Sequence, residues 1–174
     1  GKEWFFRALL LGLMIPSMML IIPQFVLTKQ LHLIDNLWAL VLFYVSGNLA
    51  LNTFLLRSFF EGIPRELDEA MEVDGANVWS RYWRLAMPLA RPALATTVIF
   101  TFLATWDEFA WALTVISTET KRTLPIAIQL FHGQNSTQWG LVFAASLIAI
   151  LPVIVVYLIF QRHFVTGLTA GAVK

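Results

Sequence analysis

"DEAMEVDGANVWSRYWRLAMPLARP", residues 68–92, interrupts a chain that is otherwise almost continuously apolar. Eleven of the charged residues lie between Arg57 and Arg91, acids crowding positions 66–74 and bases positions 81–91. The fold turns on what flanks this insert. If the flanks bury their apolar side chains against one another, the chain is a soluble helical domain. If they are too long and too apolar for that, the insert is a polar excursion from a membrane.

Composition decides for the membrane. The chain has 174 residues, 58% hydrophobic and only 13% charged, against about 25% charged in a soluble domain. Mean hydropathy is +0.71. A net charge of +1 supplies no basic field for steering a nucleic acid. With no cysteine, disulfides, thiolate chemistry and cysteine-based zinc sites are excluded. His32, His132 and His163 have no ligand spacing, so no metal site is expected. Gly1 at the start and the lack of a cleavable-signal pattern are what a fragment or processed product would show.

A helix needs about 20 mainly apolar residues to cross a hydrocarbon core of about 30 Å. Four stretches qualify: 8–27, interrupted by Pro16 and Pro23; 36–56, containing Gly47, Asn48 and Asn52; 92–116, apolar except for Asp107 and Glu108; and 141–160, broken only by Pro152. Period-two alternation is absent, so helices and not barrel strands are expected. Lysine and arginine placement sets the orientation. With the N-terminal end cytoplasmic, Lys2, Arg7, Arg57, Arg65, Arg81, Arg84, Arg91, Arg162 and Lys174 lie inside, and only Lys29, Lys121 and Arg122 outside. Loop 57–91 is then cytoplasmic, and loops 28–35 and 117–139 face outward.

Within the insert, Pro64 suits a first helical position, and Ile63, Leu67, Ala70 and Met71 make one apolar face. Glu61 and Arg65 are spaced for an i,i+4 pair. Gly75 is placed to end the helix in the left-handed conformation, and Asn77 to cap a second helix reaching about Met87. Trp79, Tyr82 and Trp83 beside Arg81 and Arg84 suit an interfacial anchor. A first helix this short is marginal alone, and its apolar face with acidic flanks suits docking on a partner.

Two polar stripes run inside the spans. Thr97, Thr101, Thr105, Glu108 and Ala112 recur at helical spacing, with Asp107 beside them; Tyr44, Asn48 and Asn52 do the same on the second span. A charge at mid-bilayer costs about 2.5–3.5 kcal/mol and usually faces a cavity or a partner. Lining a pathway and hydrogen-bonding between helices both account for these stripes.

Glu69-Ala70-Met71, three residues, Gly75, nine residues, then Leu85-Ala86-Met87-Pro88 resembles the E-A-A–x3–G–x9–I-x-L-P loop of ABC importer permeases. Met71, Leu85 and Met87 depart from the pattern but stay apolar. "LIPQFVLTKQLHLIDNLWALVL", "LARPALATTVIFTFLATWDEFAWAL", "RTLPIAIQLFHGQNSTQWG" and "GLTAGAVK" extend the resemblance, over nearly the whole chain, to the second permease subunit of carbohydrate importers of the maltose and glycerol-phosphate type. Asp107 stands where that family usually has Asn.

The resemblance implies an all-α polytopic fold, the C-terminal part of a type I ABC importer permease. It has four transmembrane helices with a cytoplasmic coupling-helix loop, residues 1–163 forming the partial transmembrane domain and 164–174 a cytoplasmic tail. Against the six spans of that family, the resemblance implies that two earlier ones would be lacking. Glu69, Ala70, Met71, Gly75, Leu85 and Pro88 would form the coupling element on a cytoplasmic ATPase, with Thr169, Ala170 and Gly171 a second contact from the tail. Thr101, Thr105, Asp107, Glu108, Asn48 and Asn52 are candidates for the translocation path. Lys121, Arg122, His132, Gln134 and Asn135 are candidates for contact with an external solute-binding protein. The implied partners are a homologous second permease, two ATPases and that binding protein, in a bacterial inner membrane. No cofactor is expected on this chain, which has no Gly-Lys-Ser/Thr phosphate loop; ATP and magnesium would sit in the ATPases. The rival readings are a proton- or ion-coupled secondary transporter using Asp107 and Glu108, and a membrane scaffold.

Overall fold

In the computed structural model, residues 1–133 and 136–170 are described, 162–170 for their backbone alone. The described residues fold into helices: α1 (Lys2–Gly12), α2 (Ile21–Gln30), α3 (Leu37–Glu61), α4 (Arg65–Val73), α5 (Val78–Arg81), α6 (Met87–Leu89), α7 (Arg91–Trp106), α8 (Ala110–Val115), α9 (Leu124–Gln129) and α10 (Trp139–Ala170). Their extended pairing amounts to one isolated antiparallel bridge, between His132 and Thr137.

Among the described residues, two helices are long and apolar enough to cross a membrane by themselves, α3 and the Trp139–Gln161 part of α10. The other two expected spans are bent. Residues 8–27 do not form one helix: α1 and the Ser17–Gln30 segment meet at 94°. Pro16 explains the break, since its ring excludes a helical bond to the carbonyl of Gly12, where α1 ends. Pro23 is tolerated because it lies in the first turn of α2, where its missing N–H would be unpaired anyway. Residues 92–116 are not one helix either. α7 stops at Trp106 and α8 starts at Ala110, so the expected continuous stripe from Thr97 to Ala112 is split between two helices.

α7 is the hub, packed against α3 on one side and α10 on the other. Pro152, inside α10, offers no N–H to the carbonyl of Ile148. One residue further on, the carbonyl of Ala149 accepts the indole N–H of Trp106 at 3.1 Å. The buried core lies at the end opposite the charged loop. There Ala39 and Leu40 of α3 meet Trp111, Ala112 and Val115 of α8, Ile116, and Ile126 of α9. The Trp111 ring packs edge-on against Phe43 at 4.7 Å. Elsewhere the long helices are bare: 17% of the apolar window of α3 is buried within the chain, and 6% of that of α10. Surfaces this apolar and this exposed need lipid or further helices around them.

Candidate functional site in the charged loop and the polar seam

The charged loop folds as two helices joined at Gly75. Pro64 (φ −57°, ψ 132°) stands just before the first turn of α4, outside the helix, and Glu66 and Asp68 lie within that turn, where the helix dipole favours acids. The end of α4 is defined by hydrogen bonds. The Ala76 N–H donates to the Met71 carbonyl at 2.9 Å and the Gly75 N–H to the Glu72 carbonyl at 3.0 Å, with Gly75 at φ +76°. This is the left-handed C-terminal motif that glycine favours. Asn77 follows, and its side-chain oxygen accepts the Ser80 N–H at 2.8 Å, capping α5.

α5 runs without a gap into a wide π-type segment, Tyr82–Ala86, and then into α6. Pro88 accounts for the widening, because it cannot donate to the carbonyl of Arg84. The run 78–89 meets α7 at 64°. Trp79, Tyr82 and Trp83 on this run are exposed and stack edge-on in series.

α4 buries none of its side chains. Glu69 and Ala70 are exposed, Met71 and Leu85 are half-buried, and Pro88 is exposed. The expected Glu61–Arg65 pair is not formed, because α3 ends at Glu61 and the Gly62–Pro64 link separates the two residues. Glu61 pairs one turn back instead, with Arg57 at 2.6 Å. Arg57 also reaches Glu3 of α1 at 2.6 Å and lies over the Phe6 ring. Sequence spacing gave no sign of the loop's main tie. Arg81 bonds Glu72 at 2.6 Å and Asp68 at 3.3 Å, across the Gly75 turn and beyond any i,i+4 relation. An open cleft of about 390 Å³ lies beside this tie, lined by Phe60, Pro64, Leu85 and others.

The two polar stripes meet between α3 and α7. Asn52 donates to the Thr101 hydroxyl at 2.8 Å, and the Tyr44 hydroxyl donates to Glu108 at 2.9 Å. Glu108 also accepts the backbone N–H of Trp111 at 2.7 Å and of Ala112 at 3.0 Å, so its carboxylate caps α8. Hydrogen bonds to the free N–H groups of a helix start explain why the span breaks at 107–109 without a glycine or proline. Asn48 and Thr105 turn back onto their own helices, to the carbonyls of Tyr44 and Thr101 at 2.9 and 2.8 Å. Asp107 is exposed at the break. The buried side-chain oxygen of Asn52 has no hydrogen-bond partner.

At the opposite end, the described stretch 117–133 carries a helix of its own, α9, docked through Ile126. Asp35, at φ +57°, fastens it. Its carboxylate accepts the N–H of Ser117 at 2.9 Å and of Thr118 at 2.8 Å, together with the Thr118 hydroxyl. Lys121 reaches the Asp35 carbonyl at 2.6 Å and its carboxylate at 3.2 Å. The Thr118 hydroxyl first, then the two backbone donors and Lys121, hold the Asp35 carboxyl well below the usual range. Arg122 is half-buried, and His132 packs edge-on against Trp139. Gln134, Asn135 and Gly171 lie outside the described residues, and Thr169 and Ala170 fall on the backbone continuation of α10. Among the described residues no group of three His, Asp or Glu side chains is placed to hold a metal ion.

A membrane-spanning helical chain with a two-helix charged loop and an E-A-M–x3–G–x9–L-A-M-P pattern defines a class of transporter component, and comparison with known proteins bears this out. Residues 1–169 match the family described as binding-protein-dependent transport system inner membrane component, and the chain belongs to that family. It is 38% identical to the sulfoquinovosyl glycerol transport system permease protein SmoH of Agrobacterium fabrum, over 97% of this chain and 61% of SmoH. It is 38% identical to the trehalose/maltose transport system permease protein MalG of Thermococcus litoralis, over 94% and 60%. With the trehalose transport system permease protein SugB of Mycobacterium tuberculosis it shares 36% identity, over 100% and 64%. The chain thus spans about three-fifths of the length of these relatives. Family and apolar helices together place it in a membrane.

Proposed function

We propose that the chain forms the coupling and pathway part of a permease subunit in an ATP-driven, binding-protein-dependent importer of a sugar or sugar derivative. The observation that carries this reading is α4. It is an acidic nine-residue helix with no buried residue, ended by a left-handed glycine, in a chain of the permease family. Such a helix gains its stability from something it docks on. Glu69, Ala70 and Met71 would seat on a cytoplasmic ATPase, Gly75 would set the turn, and Leu85 and Pro88 would carry the run into α7. ATP and magnesium would be bound by the ATPases, and a second permease would complete the pathway. The lysine and arginine bias supports a cytoplasmic loop 57–91 and a cytoplasmic C-terminus, where Thr169, Ala170 and Gly171 would make a second contact. Lys121, Arg122, His132, Gln134 and Asn135 would face the external binding protein. The sugar class is supported by the relatives' names.

In the seam, Glu108 and Tyr44 would hold the broken span together, while Thr105 and Asn48, bonded back onto their own helices, would tie no second helix. Asn52 and Thr101 are the stronger pathway candidates, because the Asn52 oxygen is left with a free acceptor. Asp107, exposed at the break, would lie at the outer mouth. The test is co-purification and uptake. Glu69→Lys is expected to release the ATPase and abolish uptake. Uptake that persists without any ATPase would overturn the reading in favour of an ion-coupled transporter.

A further inference from the structure

A nine-residue helix joined to its neighbours by Gly62–Pro64 and by a glycine turn should swing about those links and rotate about its own axis. On α4 the restraint comes from the neighbouring helix. Arg81 bonds Glu72 at 2.6 Å and Asp68 at 3.3 Å. Asp68 and Glu72 are one turn apart on the same face of α4, as i,i+4 positions are. One pair would act as a pivot; two points on one face fix the rotation.

Around the rest of α4 stand Glu66, Glu69, Ala70 and Val73, spaced i, i+3, i+4 and i+7, with Ala70 opposite the gripped pair and Glu69 at its flank. All four are exposed, and Val73 is 89% exposed. The grip therefore holds the helix along one edge and leaves these side chains open. Arg81 closes α5, which continues through Tyr82–Ala86 and α6 to the start of α7. α7 in turn packs on both α3 and α10.

We infer that Arg81 is a positioning residue, clamping α4 to the 78–89 run so that movement of the docked helix reaches α7 as one rigid body. This rests on the coupling reading above. The ion pairs are exposed on the acidic side, at 56% for Asp68 and 69% for Glu72, and such pairs add little to fold stability. The clamp should therefore show in coupling and not in stability.

The test uses the permease assembled with its ATPases, second permease and binding protein in vesicles, reading ATPase retention, ATP hydrolysis and solute taken up per ATP. Arg81→Glu should keep the ATPase bound and hydrolysing while uptake per ATP is lost. Reversing the charges, with Arg81→Glu, Asp68→Arg and Glu72→Arg together, should restore uptake per ATP. The clamp is overturned if Arg81→Glu transports as much per ATP as the parent, or if the reversed set stays as uncoupled as the single variant. Glu69→Lys, run alongside, separates the two levels. If it leaves the ATPase bound and uptake intact, the coupling reading itself fails. If it releases the ATPase while Arg81→Glu stays fully coupled, only the clamp fails.

Discussion

The two polar ends of the molecule are built on opposite plans. At the Asp35 end, a carboxylate ties loops more than 80 residues apart over a core that includes Trp111, Val115 and Ile126. At the charged-loop end, Arg81 ties helices only 9 to 13 residues apart, and α4 has no core beneath it. The first end has a buried core of its own. The second holds its shape through a turn, a cap and ion pairs, and leaves a whole helix face uncovered. An element that must move with a partner belongs at the low-stability end of the fold, and here that is α4.

The largest expected effect breaks the stable end. Trp111→Ala removes a buried indole from the outer cluster and should cost about 3–5 kcal/mol, read as a fall in thermal midpoint in detergent. The same truncation on the exposed run, Trp79→Ala, should leave that midpoint almost unchanged. Gly75→Ala meets no atom within 4 Å, so its cost is that of an L-residue in the left-handed region, about 1–2 kcal/mol, confined to the exchange protection of α4. Next comes the seam. Tyr44→Phe removes the hydroxyl bond to Glu108 and should cost about 0.6 kcal/mol, the average for hydrogen bonds between membrane helices, and at most about 1.7 kcal/mol.

The smallest effect is set by pH. The Asp35 carboxyl is lowered by its donors, so its contribution is present above the ordinary aspartate value of about 3.9 and fades as pH falls below it. Amides 117–121 should lose protection on acidification, and Asp35→Asn should remove that pH dependence. An unchanged profile in Asp35→Asn would show that the clasp does not hold the loop.

What could be read from the sequence follows the range of each interaction. The apolar runs at 36–56 and 141–160, the Gly75 stop and the Asn77 cap are local, and the structure realises them. Pro16 and Pro152 were visible as interruptions, but the 94° bend at the first depends on what packs around it. The break at Asp107–Phe109 had no local signal. Glu108 looks like one more member of a stripe until α3 supplies Tyr44 and α8 supplies two N–H groups. The Arg81 tie and the Asp35 clasp cross a turn or half the chain, beyond the reach of helical spacing. Asp35 carried one faint hint, an acid just before the Asn36 cap of α3, which says nothing of its partner loop.

Hydrogen exchange on α4 puts the contrast between the two ends to the most direct test. Amides 65–73 should exchange fast in the permease alone and slow markedly once the ATPases are bound, while amides 111–116 stay protected in both. Equal protection of α4 with and without the ATPases would contradict the account, because α4 would then be stable without a partner to dock on.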